Sequence, residues 1–206
     1  MRREGSAASP GVAAPEGAPS AGRSLRADAA RNREVLLEAA SAAFSERGAE
    51  VPLEDVARRA GVGIGTLYRH FPTREALVEA VFRHEVEVLV QSADELLATL
   101  PPEQALKQWM QLFVGHVATK RGMLAVLRPI LVDNPRFSGE TKGLVTEAAT
   151  KILRAGIAAG SVRADVDGAD LLRAVSGICM STDEGNQEAA NRLVGLLFDG
   201  LRRSPE

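Results

Sequence analysis

A single cysteine, Cys179, leaves this 206-residue chain no intrachain disulfide framework and fits a reducing compartment. No stretch reaches the roughly 18 consecutive apolar residues of a membrane span, so no membrane partner is expected. The N-terminus has basic residues followed by Ala, Gly, Pro and Ser instead of an apolar core, which argues against a secretory signal and for a cytoplasmic protein. Aromatic residues make up only 4%, so Leu, Val and Ala must do most of the core filling. HExxH, a glycine-rich phosphate loop and GxSxG are all missing. The histidines (His70, His84, His116) lie far apart, and no cysteine–histidine cluster has metal-ligand spacing. Neither a catalytic group, a metal nor a cofactor is expected, and the chain does not read as an enzyme. Its formal net charge of -2 excludes a globally basic coat for nucleic acid, so any DNA affinity must come from local placement of charge.

What is present is mostly helical periodicity, densest in meaning between Leu53 and Phe71. Leu53, Val56 and Ala57 recur at helical spacing and mark an inward face. Gly61 follows where that helix should stop, supplying a left-handed backbone conformation, and Val62 can pack beneath the corner. A second short helix then runs to Phe71, where Pro72 forces the exit. On a wheel, Leu67, Tyr68 and Phe71 fall on one side, and Gly65, Thr66, Arg69 and His70 on the other. Small, hydroxyl, guanidinium and imidazole groups on one face suit a helix that enters a DNA groove and touches phosphates. The pattern is that of a helix-turn-helix.

Around it the chain is organised simply. Residues 1–25 form a low-complexity Ala/Gly/Pro/Ser arm, read as disordered; a passive tail is favoured over an arm adding basic contacts near Arg23 and Arg26. Residues 26–72 form the DNA-binding unit, and 73–206 a larger helical domain. The first helix, expected from Ala27, carries Leu36, Ala39, Ala40, Ala43 and Phe44 and stops at Gly48. Pro52 suits the first turn of the second helix, and Thr73 can cap a long fourth one. Further helices are expected from about Glu103, from Gly122 to Val132 (kinked or ended near Pro129), and from a loop at 133–138 to Gly160. Asp167 with Asp170 marks another start, and the last helix carries Ala189, Leu193, Leu197 and Leu201. The fold class is all-α, with about nine helices and no sheet.

From Arg33 to Leu77 the chain resembles the DNA-binding domain of the TetR/AcrR family of transcriptional regulators. The resemblance lies in Leu37, Ala39-Ala40, Phe44, Arg47-Gly48, Asp55-Val56-Ala57, Ala60-Gly61-Val62, Gly65-Thr66-Leu67-Tyr68, His70-Phe71 and Arg74-Glu75-Ala76-Leu77. It implies that the third helix lies in the major groove. By position, Thr66 would contact a phosphate or a base edge, and Tyr68, His70 and Arg74 would donate to phosphates. Arg33, and less surely Arg31, would approach the backbone from the first helix, and Gly65 would permit close approach; Arg69 belongs to the same face. Two positions depart from the common pattern. Gly63 stands where many relatives have a serine cap, and Ile64 where a polar or basic residue is frequent. Ile64 either touches a thymine methyl or packs inward, with packing favoured. Arg58 and Arg59 are expected to be solvated.

The same resemblance implies that the later helices bind a small-molecule effector and form a homodimer on a double-stranded operator, usually as a repressor. Soft and aromatic side chains mark a candidate pocket: Trp109, Met110, Phe113, His116, Met123, Leu127, Cys179 and Met180. Each of these is also consistent with plain core. Candidate dimer contacts are Leu171, Val175, Ile178, Leu193, Leu197 and Leu201. The competing reading is a helical ligand-binding or interaction protein whose DNA module has lost function.

Overall fold

Local stop and start signals divide the chain into helices, and the computed structural model describes residues 21–182 and 186–203, with first-helix side chains from Asp28 onward. The described residues form eight helices: α1 (Ala21–Arg47), α2 (Leu53–Arg59), α3 (Ile64–His70), α4 (Arg74–Thr99), α5 (Pro102–Asp133), α6 (Pro135–Ala158), α7 (Gly168–Ser181) and α8 (Gln187–Leu201). An isolated antiparallel bridge between Val162 and Arg202 is the only strand-like pairing among them. None of these helices is long and apolar enough to cross a membrane.

Most of the expected punctuation holds. Gly48 and Gly61 close α1 and α2 with φ of 79° and 69°, conformations that an L side chain adopts only with strain. Thr73 accepts from the Ala76 amide at 3.1 Å, and Asp167 from the Asp170 amide at 2.8 Å, so both cap their helices as expected. Pro52 sits one residue ahead of α2, at its N-cap, instead of inside the first turn.

Three expectations are corrected. α1 begins at Ala21 and not at Ala27; the preceding tract lies outside the described residues. The expected loop at 133–138 is a single residue, Asn134, whose side chain accepts from the Phe137 amide at 3.1 Å while Pro135 fills the first helical position. The helices expected on either side of Gly122 are one continuous α5, which lowers the count from about nine to eight. Gly122 is there for closeness, not for an ending: a Cβ would lie 2.1 Å from the Phe44 carbonyl oxygen. Pro129 removes one backbone donor but does not stop the helix, because Leu127 is fully buried before it and Ile130 and Leu131 pack after it.

One apolar core runs through the whole molecule, from Leu36 on α1 to Leu201 on α8. The helix-turn-helix is fastened to the rest at the Gly122 joint, where the Ala49 amide donates to the Gly122 carbonyl at 2.8 Å. The preceding residue reaches elsewhere. Arg121 Nη1 donates to the carbonyls of Cys179 (2.6 Å) and Thr182 (3.2 Å) at the end of α7. Adjacent residues of α5 thus hold the end of α1 and the end of α7.

Candidate nucleic-acid interface and effector core

The reading head is built by burying one side of two short helices. Leu53, Val56 and Ala57 bury the inner face of α2, and the Val62 amide bonds the Ala57 carbonyl at 3.0 Å across the turn. On α3 only Leu67 is buried, with Phe71 following it into the core. Tyr68 is 46% exposed, so it leaves the side on which the wheel put it and joins the outer face. Ile64 is 36% exposed, which corrects the expectation that it packs inward. The outer face therefore comprises Gly63, Ile64, Gly65, Tyr68 and Arg69, with Thr66 and His70 half-buried at its margins. Nothing lies within 4 Å of a Cβ built on Gly63 or Gly65, so this stretch of backbone is open to a partner surface. Gly63 starts α3 in an extended conformation without a side-chain cap.

Charge on this unit is sorted. Asp55 accepts from Arg47 (3.0 Å) and Arg58 (2.6 Å), and these guanidiniums, Arg47 first, hold its carboxyl below the ordinary range. Arg59 forks onto Glu46 at 2.7 and 2.8 Å, and its guanidinium lowers that carboxyl too. The α2 cations are thereby ion-paired while remaining at the surface, Arg58 sharing Asp55 with Arg47, where solvated side chains were expected. Arg69 on α3 has no acid partner among the described residues. Arg33 stacks its guanidinium 5.5 Å from the Phe71 ring centroid, beside the end of α3. Arg31 pairs with Asp28 at 3.5 Å.

Two residues carried over as phosphate donors sit differently from expectation. Arg74 turns inward, and its Nη1 donates to the carbonyls of Ala49 and Val51 (2.8 Å for the latter), tying the α1–α2 loop to the start of α4. That loop has carbonyls but no helix to satisfy them, and a guanidinium supplies the donor. His70 buries Nε2 without a hydrogen-bond partner, so that nitrogen does not face outward.

The effector candidates divide more sharply. Trp109, Met110, Phe113, His116, Met123, Leu127 and Cys179 are all buried, but Met180 is 62% exposed and stands apart from them at the surface. Trp109 already donates its ring N–H to the Leu89 carbonyl at 3.0 Å, so its polar tip is occupied. Trp109, Phe113 and His116 form a ladder on α5, with ring centroids 5.8 and 5.9 Å apart. Phe82 of α4 meets His116 at 5.9 Å, and Phe137 of α6 meets Phe82 edge-on at 5.9 Å. The sequence gives no local hint of these last two, because other helices bring them in. His116 is 8% exposed and its Nδ1 has no partner. Burial, and secondarily the charge of Lys120, hold it down at about 4, so the ring is neutral. Cys179 lies apart from the ladder and lines a cleft of about 680 Å³ at the Gly122 joint, with Arg47, Gly48, Arg121 and Gln187 among its walls.

The expected dimer stripe also separates. Leu171, Val175 and Leu201 are buried in the chain's own core, because α7 and α8 pack these faces on each other, on α5 and on α6. Ile178 and Leu197 are half-buried, Leu193 is exposed, and Leu196, which the stripe omitted, is 68% exposed.

Comparisons with known proteins agree with this geometry. Residues 36–81 match the model of bacterial regulatory proteins of the tetR family, and residues 101–203 that of the SbtR-like transcriptional regulator C-terminal domain. The transcriptional repressor KstR2 of Mycolicibacterium smegmatis is 32% identical over 145 residues, 67% of this chain and 71% of its own. Among solved structures, the TetR transcriptional regulator SCO0520 of Streptomyces coelicolor superposes with a TM-score of 0.77 at 42% identity, covering 84% of this chain and 99% of its own. A TetR regulatory protein of Mycobacterium vanbaalenii gives 0.70 at 38% identity, covering 87% and 99%. With an uncapped but intact helix-turn-helix at one end, a helical domain at the other and relatives matching both, the chain belongs to the TetR family of transcriptional regulators.

Proposed function

We propose that this protein is a dimeric, sequence-specific repressor released from its operator by a small molecule. The observation that carries the reading is the outer face of α3, where Gly63, Ile64, Gly65, Thr66, Tyr68 and Arg69 stand together without partners beside an α2 surface whose arginines are ion-paired. Such a face suits the major groove: glycines admit the backbone, Thr66 and Tyr68 offer hydroxyls, and Arg69 a free charge for phosphate. Ile64 meets a thymine methyl, which is the one base group an aliphatic side chain reads. Arg33 approaches the backbone from α1, and Arg31 and His70 contribute at the edge. Arg74 supports the head from behind and makes no phosphate contact.

Dimerisation follows from need and from surface. Two half-sites one helical turn apart require two recognition helices. The outward faces of α7 and α8, with Ile178, Leu193, Leu196 and Leu197, offer an apolar stripe for an isologous four-helix contact. The named relative KstR2 is a repressor, which favours repression here. Release requires the effector to prefer a conformation with mismatched half-site spacing, by roughly 5.5 kcal/mol for a full switch. The Gly122 joint, where α5 meets both α1 and α7, is the route for that change. Acting on chromosomal DNA, the protein works in the cytoplasm.

The test is a mobility shift on the DNA flanking its own gene, titrated with salt. A retarded band whose affinity falls steeply with salt is expected, since phosphate neutralisation releases counterions. Failure to retard any fragment, or a flat salt response, would leave the chain a helical binding protein with an idle DNA module.

A further inference from the structure

Resting on the ligand-gated reading above, we propose that His116 and Lys120 hold the carboxylate of an apolar organic acid, whose body lies along the aromatic ladder of α5. Lys120 follows His116 by four residues, so the two share one face of the helix. The ammonium nitrogen lies 5.5 Å from the Phe82 centroid, and the same ring stands 5.9 Å from His116. One aromatic ring from α4 therefore stands beside both polar groups.

Neither group has the partner its position calls for. Lys120 is half-buried, burial pushes its amine below the ordinary range, and it forms no ion pair among the described residues. Three acids on the flanking helices are engaged elsewhere: Glu79 with Arg83 (3.1 Å), Glu85 with Ser41 (2.6 Å) and Glu140 with Arg136 (2.7 Å). Buried charge without a counter-charge is costly and is ordinarily paired. His116 seals in its Nδ1 without a hydrogen bond. An anion between them answers both deficits at once, accepting from the ammonium and from an imidazole N–H.

The surroundings choose among anions. One cation and a neutral imidazole match a single negative charge, not a dianion such as phosphate. The walls are Trp109, Phe113, Phe82 and Phe137, with fully buried Met110 and Met123 beside them on α5. Thioether chains repack readily around an entering hydrocarbon. Because Trp109 has already given its N–H to Leu89, it offers only ring faces, which suit an apolar body.

Trp109 is the only tryptophan, so its fluorescence reports occupancy directly. Octanoate, decanoate and phenylacetate, each beside its primary amide, would be titrated into the full-length protein. At least one acid is expected to give a saturable change and to bind about thirtyfold or more tightly than its amide, the scale of an unpaired buried charge. Lys120→Met should bring acid and amide level, and Lys120→Arg should keep the preference. His116→Gln, which keeps a donor, should retain part of it and serves if Lys120→Met fails to fold. No binding by any acid, equal binding of acids and amides, or a preference that survives Lys120→Met overturns the proposal. Operator binding without any acid, measured in parallel, reads the regulatory function separately.

Discussion

On the α2–α3 surface the hydroxyls and the Arg69 guanidinium face solvent, with only the Nε2 of His70 turned in, whereas in the α4–α6 core the Nδ1 of His116 is sealed inside and Lys120 is half-buried. Thr66, Tyr68 and Arg69 line an open face, and Asp55 and Glu46 nearby are spent on Arg47, Arg58 and Arg59. His116 and Lys120 sit against an aromatic ring, and Glu79, Glu85 and Glu140 of the flanking helices are engaged elsewhere. The difference is one of partner. An exposed set waits for something large and polyanionic that remains in water, and its strength depends on salt. A buried set waits for something small enough to enter, and its strength depends on desolvation. On the two readings proposed above, one chain would carry two anion readers, distinguished by dielectric more than by residue type.

The largest expected effect is on the buried side. The His116 ring, held at about 4 against an ordinary 6.5, is neutral in the fold but protonates in the unfolded chain. Stability is therefore full above about pH 6.5 and falls as pH drops toward 4, by about 3 kcal/mol for this one group at 1.36 kcal/mol per unit. Thermal melts across that window check it: His116→Gln should flatten the loss, and an unchanged pH profile would remove the contrast between the two regions. Next comes Arg74→Ala, which leaves the Ala49 and Val51 carbonyls short of a donor and should lower stability by about 1–3 kcal/mol. Its salt slope for operator binding should match the parent; a shallower slope would return Arg74 to the phosphate-binding set.

On the exposed side the effects are smaller and are read in binding. Arg69→Ala should fold normally, weaken operator affinity by about tenfold on all sequences and reduce the salt slope by about 1 per protomer. A loss confined to one sequence would instead make Arg69 a base reader. The smallest effect belongs to Ile64. Replacing one thymidine of each half-site by deoxyuridine should cost the parent a few-fold in affinity and cost Ile64→Ala nothing, because only the 5-methyl group has gone. Equal sensitivity in both proteins would show that Ile64 reads no methyl.

How much of this was legible in the sequence follows from the range of the forces involved. Gly61, Pro72, Thr73 and Asp167 act within a turn of themselves, and each ends or starts its helix as read. Gly122 was misread because its meaning is a contact with Phe44, distant in sequence, and not a local break. Tyr68 and Ile64 fell on the wrong side because α3 is seven residues long and only Leu67 anchors it, so a wheel has little to fix its phase. For Arg74, the loop carbonyls that capture the guanidinium were invisible. In α7 and α8 apolar residues surround the helix, and spacing alone did not tell Leu171 and Val175, which face the core, from Leu193 and Leu196, which do not. Nothing local announced that Phe82 would meet His116, with Phe137 behind it. The signal that was there, Lys120 one turn after His116, meant little until both proved to be buried or half-buried.

The central claim is that α3 reads DNA as one of two symmetric halves, and selection from a random-sequence duplex pool tests it most directly. The account predicts enrichment of a two-fold symmetric sequence with half-sites about 10 base pairs apart, centre to centre, or a multiple of that spacing. Its affinity should fall steeply as salt rises. Failure to enrich any sequence, enrichment of a single asymmetric site, or an affinity indifferent to salt would contradict it.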